Sequence, residues 1–277
     1  HLWWQVDRGW PILELGSAIA DEATENRLLM VPLQLLLLGL PIAAAVIVTS
    51  WRQLRQRTQV AFRFVPLGFG VLLGLLLLTA GKPYYAAGAL PTLIALAATD
   101  LVGWCRRHRV MVGSLLVANA AVSAVFALPI LPAERYVESP VSALNTEPAE
   151  MIGWPEFVDQ VASFHQEVDD GRSTTIILTG NYGEAGAIDY YGAELELPPA
   201  YSGHNSYADV RVPPGSQGPV LVVGYGDPRR LLSGCARLGS ISMPYDVDNE
   251  EQGTPVWRCA GPPRPWAELW PELRHIS

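Results

Sequence analysis

The residue type that stands out for its chemistry is lysine, because Lys82 is the only lysine beside 18 arginines in this 277-residue chain. It lies in the segment Gly81–Tyr85, which also contains Tyr84 and Tyr85. An ammonium and two phenol groups next to apolar runs suit the phosphate of a membrane-embedded lipid. The alternative is an interfacial anchor, since lysine and tyrosine are also typical of the boundary between bilayer and water.

A second group of polar side chains follows a buried-strand pattern late in the chain. Asn181, Tyr182 and Glu184 come directly after an apolar run, and His204 and Asn205 lie in a glycine-containing loop. Backbone amides at such a strand-to-helix turn can bind an anion or a sugar hydroxyl. An ordinary tight turn rich in Ser and Asn accounts for the same residues. The five are therefore candidates for binding a sugar or an acceptor.

Several other site types are not predicted. The five histidines are scattered, and the chain has no CxxC, HExxH or GxSxG motif and no Walker loop, so we expect neither a metal nor a cofactor. The net charge of −8 and the lack of basic clusters on any long polar stretch argue against a nucleic-acid partner.

The charges divide the chain into regions that must position these side chains. Between residues 28 and 132 the only acidic residue is Asp100, whereas residues 133–277 contain 21 acidic and 9 basic side chains. A single globular domain does not sort its charges in this way. We therefore expect an exterior loop segment at 1–27, a transmembrane region at 28–132 and a soluble exterior domain at 133–277.

The apolar region contains four segments near the length of about 20 residues that a helix needs to cross a bilayer. They are residues 28–50, 64–80, 84–104 and 110–131. In lipid the backbone must satisfy its own hydrogen bonds, so each segment is expected to be helical. The predicted fold class is an α-helical membrane bundle with four transmembrane helices, followed by a small α/β exterior domain.

Arginines in the two short loops set the expected orientation. They are Arg52, Arg55 and Arg57 in the first loop, and Arg106, Arg107 and Arg109 in the second. The positive-inside rule places both loops in the cytoplasm and the C-terminal domain outside, in a multi-pass protein of the plasma membrane. Asp100 is expected to form a structural ion pair with an arginine such as Arg106 or Arg107.

The pattern from residue 154 onward is that of a soluble α/β unit. Apolar residues at helical spacing predict a helix at 155–168, and a β-branched run predicts a buried strand at Thr174–Thr179. A helix at Tyr182–Tyr191 and strands at Pro219–Tyr225 and Pro255–Cys259 follow, with a short helix near Pro228–Ser233. Alternating strands and helices predict a mainly parallel sheet.

Two of the three cysteines, Cys235 and Cys259, lie in the exterior domain. An oxidising compartment permits a disulfide between them that closes a loop of about 25 residues. The alternative is two unpaired buried cysteines. Cys105, beside the cytoplasmic arginines, is expected to be a free thiol.

Several segments of the chain resemble, in order, segments of a known enzyme group. The most specific are GKPYYAAGALPTLIALAA (81–98), NYGEAGAIDYYG (181–192) and PPAYSGHNSY (198–207), with weaker similarity in WWQVDRGWPILEL (3–15) and NRLLMVPLQLLLL (26–38). They resemble bacterial membrane glycosyltransferases of the C-type (GT-C) superfamily. These enzymes are related to the protein O-mannosyltransferases and to the lipid A aminoarabinose transferase.

The resemblance implies an enzyme that transfers a sugar from a polyprenyl-phosphate lipid to an exterior glycan, lipid or protein acceptor. It also implies that Lys82, with Tyr84 or Tyr85, binds the donor phosphate. The family's catalytic aspartate has no match here, since Asp7 and Glu14 lie in a different context, so the catalytic residue stays unknown. We accordingly expect the chain to be the C-terminal part of such an enzyme.

Two functions of other classes remain as alternatives. A transporter subunit needs polar groups near the midplane of the bilayer and often shows inverted repeats, and neither feature is evident in the sequence. A membrane-anchored exterior binding module needs only the anchor and the soluble domain, and both are predicted.

Overall fold

The computed structural model describes residues 2–19, 23–56, 60–128, 130–144, 146–169, 171, 174–215 and 218–276. The described residues are mostly helical, with one mixed β-sheet in the C-terminal half. The chain divides into two compact units, His1–Ile130 and Leu131–Ser277, which we call unit 1 and unit 2.

All the secondary-structure elements of unit 1 among its described residues are helices. Its α-helices are α1 (Leu2–Asp7), α2 (Pro11–Ile19), α3 (Ala23–Leu38), α4 (Leu40–Arg55), α5 (Phe64–Thr79), α6 (Leu90–Arg107) and α7 (Arg109–Ala127). Short 3-10 helices at Val60–Phe62 and Pro83–Ala89 connect them. The segment 1–27, expected as a loop, therefore contains two helices and the start of a third.

The first predicted span, residues 28–50, is not one continuous helix. α3 and α4 meet at Gly39 with a bend of 107°. Gly39 has a left-handed φ of 70°, and a side chain there would approach Asn119 to 2.2 Å. Pro41 lies in the first turn of α4, where its fixed φ favours a new helix start. A run of apolar residues does not reveal such a break.

Length and composition identify fewer membrane-spanning candidates than the four predicted. Among the described residues, Pro83–Arg107 is long and apolar enough to cross a bilayer, and the bent pair α3–α4 is a second candidate if it acts as one broken span. α5 and Arg109–Val125 are shorter apolar helices. The 16 residues of α5 rise about 24 Å, which is less than the hydrocarbon core of about 30 Å.

Small residues and one ion pair join α4 to α6. The buried cluster at this contact consists of Leu38 at the end of α3 together with Ala43, Ala45, Val46, Leu90, Leu93 and Ala97. Asp100 accepts a hydrogen bond from Thr49 Oγ1 at 2.6 Å and pairs with Arg52 at 2.8 Å. The expected ion pair is therefore present, but its partner comes from α4 rather than from Arg106 or Arg107. Arg57, one of the predicted cytoplasmic arginines, lies outside the described residues.

Unit 2 combines short helices with five strands. Its helices are α8 (Ala133–Val137), α9 (Pro140–Leu144), α10 (Trp154–Val168), α11 (Tyr182–Tyr191) and α12 (Trp266–Leu273). Its strands are β1 (Ile176–Thr179), β2 (Ala200–Ser202), β3 (Val220–Val223), β4 (Ala236–Ser240) and β5 (Pro255–Cys259). The 3-10 helices lie at Ala149–Met151, Gly192–Leu195, Asn205–Asp209, Pro228–Arg230 and Pro244–Asp246.

The sheet has the strand order β2-β1-β3-β5-β4 and is mixed rather than mainly parallel. β1 pairs in parallel with β2 and β3, whereas β5 pairs antiparallel with β3 and β4. Parallel pairing needs a long crossover between strands. The helix predicted near 228–233 is only the 3-10 turn Pro228–Arg230, and no crossover helix lies between β4 and β5. The second half of the sheet is therefore antiparallel.

Helices cover both faces of the sheet in unit 2. α10 and α11 pack on one face, where Phe157, Ile188 and Leu221 are fully buried, and α12 packs on the other through Trp266 and Leu269. This burial explains why β1 and β3 are continuous apolar runs.

The expected disulfide partners meet at one edge of the sheet. Cys235 precedes β4 and Cys259 ends β5, and their Sγ atoms are bonded at 2.02 Å. Cys105, in unit 1, is a free cysteine.

Candidate functional site

Of the three predicted donor-phosphate residues, Lys82 lies in the turn after α5, and Tyr84 and Tyr85 lie at the start of the 3-10 helix Pro83–Ala89. Lys82 is half-buried, while Tyr84 and Tyr85 are 58% and 47% exposed. The two phenol rings meet edge to face with their centroids 5.0 Å apart. The amide of Tyr85 donates to the Lys82 carbonyl at 3.1 Å, so the backbone itself closes the turn. Residues 82–85 thus carry one ammonium group and two phenol groups.

Two buried amides of α3 hold this turn from both sides of Lys82. Asn26 Nδ2 donates to the Ala80 carbonyl at 3.0 Å, and Gln34 Nε2 donates to the Pro83 carbonyl at 2.8 Å. Both amide side chains are only 4% exposed. A buried polar group that loses its partner costs roughly 1–3 kcal/mol, so these bonds fix the backbone that carries the lysine. The sequence feature that could have identified these contacts is the presence of two amide side chains in a leucine-rich run.

Arg27, the neighbour of Asn26, closes the end of α5. Its Nε donates to the Leu77 carbonyl at 2.9 Å and its Nη2 to the Leu78 carbonyl at 3.4 Å. The last carbonyls of a helix carry partial negative charge and lack partners within the helix, so a guanidinium stabilises them. α3 therefore contributes the groups that define where α5 ends and the Lys82 turn begins.

The sugar or acceptor candidates lie in unit 2, at the carboxyl ends of β1 and β2. Asn181 caps α11: its Oδ1 accepts from the Glu184 amide at 2.8 Å, while Glu184 Oε2 accepts from the Asn181 amide at 2.9 Å. This reciprocal pair is a capping box. These two amide N–H groups are therefore already used by the chain, and they are not available to an anionic ligand. Tyr182 begins α11 and is 53% exposed.

Glu184 is held in a tightly enclosed position behind the cap. It is 1% exposed, and burial raises the pKa of its carboxyl group to about 7, against the hydrogen bond from Asn181 that lowers it. A Cβ on Gly224 would lie 2.3 Å from Glu184 Oε1, and one on Gly180 would lie 2.5 Å from the Gly224 carbonyl. Only glycine fits where the ends of β1 and β3 approach each other in this way.

Two further polar side chains at this edge were not identified from the sequence. Glu251 Oε1 accepts from Asn181 Nδ2 at 3.5 Å, and burial raises the pKa of the Glu251 carboxyl group. Burial, and then the charge of Glu184, raises the pKa of Tyr225 to about 12. Tyr225 is the last residue of the predicted strand Pro219–Tyr225 and follows the observed β3, but Glu251 lies 70 residues from Asn181 with no motif to link them.

His204 and Asn205 lie beside the start of α11. The His204 ring is 4.9 Å from the Tyr182 ring and stacks on the His275 ring at 4.7 Å, measured between centroids. Asn205 Nδ2 lies 2.9 Å from His204 Nε2. The amide of Asn205 donates to the His275 carbonyl at 2.8 Å, which aligns the C-terminal residues with the end of β2. The structure thus brings together the five candidates of unit 2.

No group of three or more His, Cys, Asp or Glu side chains suited to a metal ion occurs among the described residues. Comparisons of the chain with models of protein families, with curated proteins and with solved structures return no significant match.

Proposed function

We propose that this chain is part of an integral membrane glycosyltransferase of the GT-C type, which transfers a sugar from a polyprenyl-phosphate donor to an exterior glycan, lipid or protein acceptor. The observation that carries the proposal is the Gly81–Tyr85 turn. The amides of Asn26 and Gln34 fix it on both sides of Lys82, and both tyrosine rings are about half exposed. An ammonium and two phenol hydroxyls on a backbone held by these hydrogen bonds can donate to the oxygens of a lipid phosphate.

In the proposed reaction, an acceptor hydroxyl oxygen forms a bond to the anomeric carbon of the donor sugar. The bond from that carbon to the phosphate oxygen breaks, and the electron pair leaves with the polyprenyl phosphate. Lys82 and a tyrosine hydroxyl stabilise the charge that develops on this phosphate. The proton of the acceptor passes to a carboxylate base, which is not assigned to any residue of this chain.

The surface of unit 1 supports a location in the plasma membrane. Leu40 in α4, Leu78 in α5 and Val117 in α7 are 77%, 78% and 71% exposed, so these helices have large apolar side chains on their outer surface. In the proposal, α3–α4 form a broken span, α6 forms a complete span, and α5 and α7 complete the four membrane helices. Unit 2 is then exterior, in agreement with its disulfide.

The experiment that tests the proposal is sugar transfer by the complete gene product in membrane vesicles. The donors are polyprenyl-phosphate mannose and polyprenyl-phosphate arabinose, labelled in the sugar. Substitution Lys82→Ala is expected to lower the transfer rate by about 100-fold or more, because it removes the positive charge that stabilises the leaving phosphate. Lys82→Arg, which keeps the charge with another shape, is expected to retain part of the rate.

The matched control is Arg109→Ala, which removes an exposed cation from unit 1 at the start of α7. It is expected to leave transfer unchanged. Tyr84→Phe and Tyr85→Phe, tested side by side, identify which hydroxyl contacts the phosphate. If Lys82→Ala transfers sugar at the wild-type rate while its protein level is normal, the assignment of the site is wrong.

A second candidate function is a membrane-anchored exterior binding module without catalysis. The gathering of Asn181, Tyr182 and His204 at one edge of the sheet in unit 2 favours it, because this arrangement does not depend on Lys82. Ligand binding to the wild-type chain, with no sugar transfer from either donor, is the result expected for this alternative.

A further inference from the structure

A groove of about 550 Å³ lies between the C-terminal half of α4 and the first half of α5. On α4 its lining includes the exposed side chains of Ile47, Trp51 and Leu54, which share one face of the helix by their spacing. The lining is almost entirely apolar. Hydrocarbon therefore fills this groove more favourably than water does.

A glycine on α5 keeps the groove open. Gly70 lines it, and a Cβ built on Gly70 would have no other atom within 4 Å. Pro66, one turn earlier, and Phe69 line the same space from α5, and the buried Leu93 lines it from α6. A larger side chain at position 70 would therefore extend into the groove without a clash.

Arginines lie at the end of the groove where α4 ends. Arg52 lines the groove, and the guanidinium carbon of Arg55 lies 3.8 Å from the centroid of the Trp51 ring. Arg52 pairs with Asp100 through Nη1, while nearly half of the Arg52 side chain is exposed. Asp100 is the only acidic residue between residues 28 and 132. The two guanidinium groups therefore carry more positive charge than this carboxylate cancels.

This basic end is remote from the Lys82 turn. Arg63, which directly precedes α5, donates from Nε to the Gln53 carbonyl at 2.9 Å and from Nη2 to the Gln56 carbonyl at 2.8 Å. The start of α5 thus lies beside the end of α4, whereas Lys82 follows the other end of α5. The 16 residues of α5 rise about 24 Å, so a ligand at the basic end does not occupy the proposed donor-phosphate site.

The combination of positive charge and apolar lining selects one class of occupant. A second copy of unit 1 would have to supply a carboxylate, and its residues 28–132 contain only Asp100, which already pairs with Arg52. An anionic phospholipid supplies both a phosphate and an acyl chain. Tryptophan is typical of the headgroup level of a bilayer, and basic residues attract anionic lipids at the cytoplasmic surface. The expected orientation places this end of α4 at that surface.

We propose that the groove binds an acyl chain of an anionic phospholipid, whose phosphate lies against Arg52 and Arg55 beside Trp51. The proposal rests on the proposed membrane location of unit 1 and on its expected orientation. It does not depend on Lys82 or on sugar transfer, and it gives unit 1 a lipid site separate from the donor-phosphate site.

The test is native mass spectrometry of the complete gene product in detergent, titrated with phosphatidylglycerol or with phosphatidylcholine of the same acyl chains. Phosphatidylglycerol is expected to bind about tenfold more tightly, because the arginines attract its net negative charge. A high salt concentration is expected to narrow this difference, because salt screens exposed charges. Phosphatidylcholine binding that equals or exceeds that of phosphatidylglycerol, or no binding of either lipid, would overturn the proposal.

A pair of glycine variants tests the groove itself. Gly70→Leu is expected to weaken the binding of both lipids about tenfold, because the leucine side chain replaces part of the acyl chain. Gly68→Leu is the matched control: Gly68 is an exposed glycine of α5, its Cβ would also have no neighbour within 4 Å, and it does not line the groove. Leucine favours a helix more than glycine does, so neither variant is expected to unfold α5. Equal binding by the two variants would show that the lipid does not enter the groove.

A pair of arginine variants tests the contact with the phosphate. Arg55→Ala is expected to weaken the binding of phosphatidylglycerol about fivefold and to leave that of phosphatidylcholine unchanged. Arg109→Ala, which removes an exposed cation outside the groove, is expected to change neither. Equal losses in the two variants would indicate diffuse attraction rather than a site. A lipid-free dimer that only Gly70→Leu dissociates would identify a second copy as the occupant and would also overturn the proposal.

The lipid site and the proposed function fail in different ways. Equal binding of the two lipids, together with sugar transfer that depends on Lys82, overturns only the lipid site. Preference for phosphatidylglycerol that depends on Arg55 and Gly70, together with transfer that is insensitive to Lys82→Ala, overturns only the donor-phosphate assignment.

Discussion

The two units differ in the side chains that they expose. In unit 1 many large apolar residues lie outside, as at Leu40 and Leu78, while the amides of Asn26 and Gln34 are buried along with the apolar cluster between the helices. In unit 2 the large apolar residues are inside, and Phe157 is fully buried on the sheet. The packing of large apolar side chains therefore differs between the residues before and after residue 130.

The proposed membrane location of unit 1 accounts for this difference, because the two units would then fold in different solvents. In water, burying apolar surface stabilises a fold by about 25 cal/mol per Å², which explains the core of unit 2. Between helices in lipid that driving force is absent, so association depends on close packing of small residues and on hydrogen bonds. The alanines between α4 and α6, and the amide bonds from α3, are of this kind. The comparison supports the proposed membrane location of unit 1.

The largest expected effect comes from truncating the same residue type in both units. Phe157→Ala is expected to destabilise unit 2 by about 3–5 kcal/mol, because Phe157 is fully buried. Phe64→Ala is expected to change the stability of unit 1 by less than about 1 kcal/mol, because Phe64 is 68% exposed and would contact lipid in both states. Hydrogen exchange of the chain in nanodiscs measures the local opening free energy of each unit. Equal effects would contradict the comparison.

A smaller effect is expected from placing a charge on each surface. Val117 in α7 and Val210 in unit 2 are both exposed valines. Val117→Arg is expected to cost about 3 kcal/mol, since an arginine near the middle of a membrane helix opposes insertion. Val210→Arg is expected to stay within about 0.5 kcal/mol, as for most changes at a surface in water. The measurement is the fraction of protein that resists alkaline extraction from membranes. Full retention of the Val117→Arg variant would contradict the contact between Val117 and lipid that the proposed location requires.

The elements that the sequence predicted are those with local signals. α11 occupies the predicted residues Tyr182–Tyr191, because Asn181 provides a cap at its start and Gly192 follows its last residue. β5 spans the predicted Pro255–Cys259. β2 and β4 were missed because neither is an apolar run: β4 reads Ala-Arg-Leu-Gly-Ser and is held by pairing with β5. Its strand character comes from a partner distant in sequence, which no local pattern records.

The limits of the site prediction have the same origin. Asn181 and Tyr182 were identified because they follow a predicted strand, and His204 because it lies in a glycine-containing loop with several polar side chains. Glu251 and His275 were not, because sheet order rather than spacing brings them to the same edge. In unit 1 the break at Gly39 escaped prediction for a related reason. Asn119 packs so closely against Gly39 that no side chain fits there, and Asn119 is 80 residues away in the chain.

The smallest effect that separates the units is their response to pH, because buried amides do not titrate and buried carboxyls do. Burial raises the pKa of Glu184 from its ordinary 4.5 to about 7, so folded unit 2 binds this proton more tightly than the unfolded chain does. Stability must then fall as the pH rises through this interval, by roughly 2 kcal/mol between about pH 5.5 and 7.5. Glu184→Gln keeps an oxygen for the capping box but cannot titrate, so it is expected to flatten the profile. Thermal unfolding of the wild type and of this variant at several pH values measures the slopes. Identical slopes would mean that the Glu184 carboxyl group is solvated, and the enclosed position behind Asn181 would then be wrong.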